Sequence, residues 1–150
     1  MIRILDAPNI KDDFYCSVLA YSDTCQTLAM GLGNDVFMWT ETFGAHRAHR
    51  APDDGGWITS MSFSSNKGRR SILAVGRVDG SLVLQSTYDA LPRFELQQPY
   101  GISCVSWRPA CTPRSSKNPL NPGVRVQTEE LIVGDERGTM YYYVVEWPLG

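Results

Sequence analysis

The sequence has no long apolar run, little net charge, two histidines and no closely paired cysteines. Each shortage removes a class of function. No apolar stretch approaches the ~18–20 residues of a membrane-spanning helix, and the opening Met1-Ile2-Arg3-Ile4-Leu5-Asp6 lacks the apolar h-region of a secretory signal. Fourteen Lys and Arg against 16 Asp and Glu leave a net charge of −2 over 150 residues. Whole-chain electrostatics therefore predict no nucleic-acid partner and no membrane partner. The four cysteines, Cys16, Cys25, Cys104 and Cys111, form no C-x-x-C pair. They read as reduced thiols of an intracellular protein, some acting as small apolar residues. Together with His46 and His49 they match no zinc-ligand spacing, so neither metal nor cofactor is expected.

Catalytic constellations are missing as well. Gly31-Leu32-Gly33-Asn34 leads into a strand pattern rather than a helix, so it offers no helix N-terminus to a phosphate. No Gly-x-Ser-x-Gly elbow occurs. Asp12 and Asp13 are adjacent, and neighbours on an extended chain point to opposite faces. The expectation is a protein that is not an enzyme.

What is present is a repeated pattern of short β-type runs. Its clearest copy is Trp57–Ser86, three runs joined by two turns. The first alternates, with Ile58, Ser60 and Ser62 on one face and Thr59, Met61 and Phe63 on the other, which predicts a half-buried strand. The second, Ile72-Leu73-Ala74-Val75, is continuously apolar and suits burial on both faces. Asp79-Gly80 tolerates positive φ and marks a hairpin turn. The same unit recurs on both sides. The aromatic closing the first run is Tyr21, Phe63, Trp107, in steps of 42 and 44. The glycine closing the second is Gly31, Gly76, Gly134, and the third ends at Trp39, Gln85, Tyr143.

A step in the forties with one small sheet per repeat is the signature of WD-type propeller blades. The fold class is therefore all-β, a partial WD-repeat propeller of about three blades of antiparallel strands. The expected division is an opening strand and loop over 1–15, blade one over 16–56, blade two over 57–100, and blade three over 101–150 with a Pro-rich insertion at 109–123. Strands are expected near 17–21, 27–32, 35–39, 58–63, 71–76, 81–86, 93–97, 102–107, 129–133 and 139–145. A short charged outer strand suits the His46-Arg47-Ala48-His49-Arg50 segment. Arg47 and Arg50 are the alternative candidates there for an RNA or phosphopeptide contact. Leu19, Tyr21, Leu28, Met30, Met61, Phe63, Leu73, Val75, Val105, Trp107, Ile132 and Tyr143 are the expected core.

Propellers close with roughly 4 to 8 blades. Three blades, the third without an outer strand, predict open faces with Phe37 and Tyr141 partly wet, and self-association through open blade edges. The insertion at Ala110–Gly123 has little apolar mass, and with Pro109 the stretch holds four prolines, so it reads as a loop and the least ordered internal segment. Arg108, Arg114, Lys117 and Arg125 make it basic, and Thr112-Pro113 is a minimal proline-directed phosphorylation context. In Tyr141-Tyr142-Tyr143 the outer pair share a face and read as core packing rather than a base-stacking platform.

The run Arg3-Ile4-Leu5-Asp6-Ala7-Pro8, then Asp12-Asp13-Phe14-Tyr15, then Gly33-Asn34-x-Val36-Phe37-x-Trp39 resembles the opening of the propeller of the Fizzy-type coactivators of the anaphase-promoting complex. The meiosis-specific fungal branch is one candidate home. The motif match covers about residues 3 to 39, with the N-terminal part of that propeller as its extent. Cys16-Ser17-Val18 and Tyr21-Ser22 stand where the family has Leu-Asn-Leu and Trp-Ser. The resemblance implies a substrate-recognition adaptor whose partners are the anaphase-promoting complex and degron-bearing substrates, acting in nucleus and cytoplasm in cell-cycle or meiotic control. It further implies that Leu5, Asp6 and Asn9 help hold the arginine of an Arg-x-x-Leu degron. Asn9 departs from the family's acidic residue, which weakens that grip. A generic WD-repeat interaction scaffold, or a truncated fragment without independent function, is the alternative.

Overall fold

The computed structural model describes residues 18–49, 56–68, 71–89 and 91–147. They form three four-stranded sheets and one short 3₁₀ turn at Asn66–Gly68. Sheet one is a plain meander of β1 (Leu19–Ser22), β2 (Thr27–Leu32), β3 (Asp35–Thr40) and β4 (Gly44–His49). Sheet two repeats it with β5 (Ile58–Phe63), β6 (Ile72–Arg77), β7 (Ser81–Ser86) and β8 (Phe94–Gln97). Sheet three comprises β9 (Ile102–Trp107), β10 (Thr112–Ser115), β11 (Arg125–Asp135) and β12 (Met140–Glu146). Every pairing is antiparallel.

The sheets stack face to face, and the first strands β1, β5 and β9 lie side by side. Two apolar layers fill the gaps. Ala29, Val36 and Met38 of sheet one meet Ile58, Met61, Leu73, Val75 and Val83 of sheet two. Ile72, Ala74, Leu82 and Leu84 meet Ile102, Val105, Trp107, Leu131 and Val133 of sheet three. The period-two alternation of β6 therefore serves both layers: Leu73 and Val75 point one way, Ile72 and Ala74 the other. Its continuous apolar run is the direct consequence of having a sheet on each side.

The first strands are cross-linked by polar groups. Val105 N–H donates to Ser60 Oγ at 3.0 Å and Trp107 N–H to Ser62 Oγ at 3.3 Å. The Thr59 hydroxyl lies 2.5 Å from the Ile102 carbonyl and 3.2 Å from that of Gly76. Serine and threonine on β5 thus satisfy backbone groups of β9 that its own sheet leaves unpaired.

Several expectations are corrected. β5 is not half-buried with Ile58 on the serine face. A bulge between Ile58 and Ser60 shifts the parity, so Ile58 joins Met61 and Phe63 against sheet one. The same shift at Gly134/Asp135 puts Ile102 with Val105 and Trp107 against sheet two. Leu19 and Tyr21, expected in the core, are 51% and 58% exposed. They occupy the positions of Met61 and Phe63, but no described sheet covers that side of sheet one. Ile132 is 41% exposed because Leu131 and Val133 take the inward face of β11. Leu28, Phe63 and Tyr143 are half-buried, whereas Met30, Met61, Leu73, Val75, Val105 and Trp107 are buried as expected. Phe37 and Tyr141 are half-buried, as expected, but the tyrosine on the open side of sheet three is Tyr142, whereas Tyr141 packs with Tyr143 against sheet two.

The Pro-rich segment is ordered into a β-arm rather than a loop. Thr112–Ser115 pairs with the first residues of β11, which begins at Arg125, before the expected 129. Pro113 joins this ladder because it sits opposite Gln127 at a non-hydrogen-bonded position. The register that has Ser116 N–H donating to the Val124 carbonyl at 2.7 Å turns the Pro113 nitrogen outward. Gly44–His49 is a full outer strand, as expected of the charged His46–His49 segment, and stands in addition to the ten windows enumerated. Residues 1–17, with the opening strand expected at Ile2–Leu5, lie outside the described residues.

Candidate interaction surface

Sheet three presents an outer face that no described residue covers. Ile132, Met140, Tyr142 and Val144 form an exposed apolar band across β11 and β12. The band exists because the strands of this sheet are as apolar on both sides as those of sheet two, where both sides are buried. Large exposed apolar patches mark interaction sites. Sheet one shows its counterpart in Leu19 and Tyr21.

A charged cluster edges the band. The Glu130 side chain, 8% exposed, accepts from Tyr142 Oη at 2.5 Å, Arg108 Nη1 at 2.7 Å and Arg114 Nη2 at 2.5 Å. The Tyr142 hydroxyl, then Arg108 and Arg114, hold its carboxyl down at about 2. Tyr142 is pushed up in turn, because ionising it would place a phenolate against Glu130. Arg108 Nη1 also donates to Thr112 Oγ1 at 2.6 Å, so the candidate phosphorylation site is already tied into this cluster.

On the opposite side of sheet three, a groove of about 550 Å³ runs between β7 and β8 and the outer edge of β12, with Leu82, Leu84, Phe94, Tyr143 and Val145 in its walls. Among the described residues no strand pairs with that edge. Trp147 closes one end of the groove, its Nε1–H donating to Glu129 Oε2 at 2.8 Å, while Ser65 N–H donates to Oε1 of the same carboxylate at 3.0 Å. Glu129 is buried and ties sheet three to the β5–β6 link of sheet two.

Leu5, Asp6 and Asn9, the degron-contacting candidates, lie outside the described residues, as does Arg50. Arg47 stands on β4 with its guanidinium 3.5 Å from Asp35. Among the described residues no cluster of three His, Cys, Asp or Glu could hold a metal ion. The apolar band and the buried Glu129 and Arg77 were not singled out from sequence. A band of this kind follows from strand patterning once the number of covering sheets is known, and sequence did not supply that number.

Successive four-stranded antiparallel units, stacked with their first strands together and repeating every forty-odd residues, define a WD-type β-propeller protein, here with three of its blades. Its homologues are WD-repeat activators of the anaphase-promoting complex and their relatives, at about 30% identity. An uncharacterised WD repeat-containing protein of Schizosaccharomyces pombe is 32% identical over 97% of this chain and 23% of its own length. Meiotic fizzy-related protein 2 of the same yeast is 31% identical over 95% of this chain and 24% of its own. A chain in the crystal structure of the mitotic checkpoint complex shares the fold, with a TM-score of 0.62 at 19% identity over 95% of this chain and 41% of that one. No protein-family model matches. The chain spans about a quarter of the length of the curated relatives it matches.

Proposed function

We propose that this chain is part of the propeller of a substrate-recognition adaptor that binds the anaphase-promoting complex and presents degron-bearing proteins to it. The observation that carries the reading is similarity to an APC/C activator protein of Saccharomyces cerevisiae, 34% identical over 70% of this chain, together with the likeness to the meiotic fizzy-related protein. The proposed role is that of an adaptor rather than a catalyst, in keeping with the activators it resembles. Leu5 and Asp6, with Asn9 beside them, would receive the arginine of an Arg-x-x-Leu segment. A rim ion pair in water contributes only about 0–1 kcal/mol, so Asp6 would set orientation more than affinity. The protein would act in nucleus and cytoplasm.

The test is titration of an Arg-x-x-Leu peptide into the chain supplemented with the remaining blades of a relative. Binding weakened by Asp6→Ala supports the reading. Binding indifferent to Asp6→Ala removes the role of the opening segment. A second reading, a WD-repeat scaffold with no cell-cycle role, draws on the uncharacterised relative. It predicts no peptide binding and no association with the anaphase-promoting complex.

A further inference from the structure

Sheets one and two join their first and second strands by the short links 23–26 and 64–71, whereas sheet three inserts everything between Trp107 and Arg125. That insertion is a built arm. β10 pairs with the start of β11, and the tip is closed by Asn121 N–H donating to the Asn118 carbonyl at 3.0 Å and Leu120 N–H to Asn118 Oδ1 at 2.9 Å. The arm is clamped at its base and again next to its tip. Glu130 holds Arg108 and Arg114, and the Glu146 carboxylate accepts from the Ser116 hydroxyl and from Lys117 N–H.

The arm contributes no side chain to the sheet–sheet layers except through its base. What it displays is Leu120, 86% exposed, with Val124 beside it. From Pro109 to Thr128 the sequence holds Arg114, Lys117 and Arg125 and no Asp or Glu, in a chain whose net charge is −2. The Lys117 ammonium and the Arg125 guanidinium make no ion pair with a described carboxylate, although Lys117 N–H donates to Glu146; Arg125 donates to the Pro113 carbonyl at 3.3 Å. An exposed leucine on an ordered arm that carries three cations and no carboxylate of its own is an anchor whose ordering cost is largely met by the fold.

We propose that this arm docks on a partner protein by placing Leu120 in an apolar pocket rimmed by carboxylates, and that the partner surface belongs to the anaphase-promoting complex. The choice of partner rests on the adaptor reading above. Charge complementarity accelerates association, and a buried leucine slows dissociation.

The experiment measures binding of the full chain to purified anaphase-promoting complex at low and high salt. It compares wild type, Leu120→Ala, Leu120→Met and the double variant Lys117→Glu/Arg125→Glu, with Arg-x-x-Leu peptide affinity and thermal midpoint followed in parallel. Leu120→Ala should weaken binding about tenfold, as loss of an interface anchor does. Leu120→Met should retain most of the affinity, and the charge reversal should slow association and flatten the salt dependence. Midpoint and peptide affinity should not change. If wild type and all three variants bind alike, the arm is not the docking element. If wild type fails to bind the complex, the adaptor reading fails and takes the proposed partner with it.

Discussion

Ile102 occupies the space that a side chain on Gly76 would need: a Cβ there would stand 2.5 Å from Ile102 Cγ2. Ile58 seats on Gly31 in the same way, at 3.1 Å. The glycines closing the second strands of sheets one and two are therefore sockets for the first-strand isoleucine of the next sheet. Gly134 holds the same position in sheet three, and its nearest neighbours are Cys104 and Met140 of its own sheet.

Gly76→Ala should then cost about 1–3 kcal/mol, the range for overpacking a filled core. Gly134→Ala should cost less, since the atoms it meets belong to side chains that can swing into the open. Urea unfolding of both variants checks the order. Ile102→Ala placed in the Gly76→Ala background should cost less than the two single losses summed, because both act on one packing site.

Arg77 is 3% exposed and its Nη1 donates to the carbonyls of Asn34 at 2.5 Å and Gly56 at 3.1 Å. It ties the β2–β3 turn of sheet one to the start of sheet two. Burial lowers its pKa. Arg77→Leu should strand both carbonyls, at about 1–3 kcal/mol each. Arg77→Lys should recover only part of the loss, because the lysine side chain is shorter and its ammonium, more strongly hydrated than a guanidinium, costs more to bury.

Glu130 gives a pH signature. Its carboxyl is held at about 2 in the fold against 4.5 for the free group, chiefly by Tyr142 and Arg108. A depressed carboxylate stabilises the fold fully above its unfolded pKa, and that stabilisation is lost as pH falls through the folded pKa. Stability should therefore decline between about pH 4.5 and pH 2, and Glu130→Gln should flatten that part of the profile. In a titration followed by NMR, Tyr142→Phe should move the Glu130 midpoint upward.

Trp107 and Phe63 hold corresponding places but differ in cover. Trp107 is buried and Phe63 half-buried. Trp107→Ala should cost about 3–5 kcal/mol, in the range for core aromatics, and Phe63→Ala distinctly less. Equal losses would show that the environments of the two strands are not as described here.

The repeat was legible because its markers are steric necessities. The glycines at 31, 76 and 134 seat a neighbour or close a strand, and the apolar run of β6 reflects sheets on both sides. The β10 arm was not legible. Its four prolines argue against a ladder unless the pairing phase is known, and that phase is set by the turn at Asn118–Gly123. The opening residues Leu5, Asp6 and Asn9 carry a resemblance whose geometry lies outside the described residues.

Composition and period two by themselves determined that the chain is all-β, that it repeats, and where most strands lie, since alternation and turn chemistry act over a few residues. Which face of each strand is buried was decided only by the tertiary structure. A single bulge reassigns Ile58, and the presence or absence of a covering sheet separates Met61 from Leu19 and Leu131 from Ile132. Those are long-range facts, fixed by which sheet stacks on which, and no local pattern encodes them.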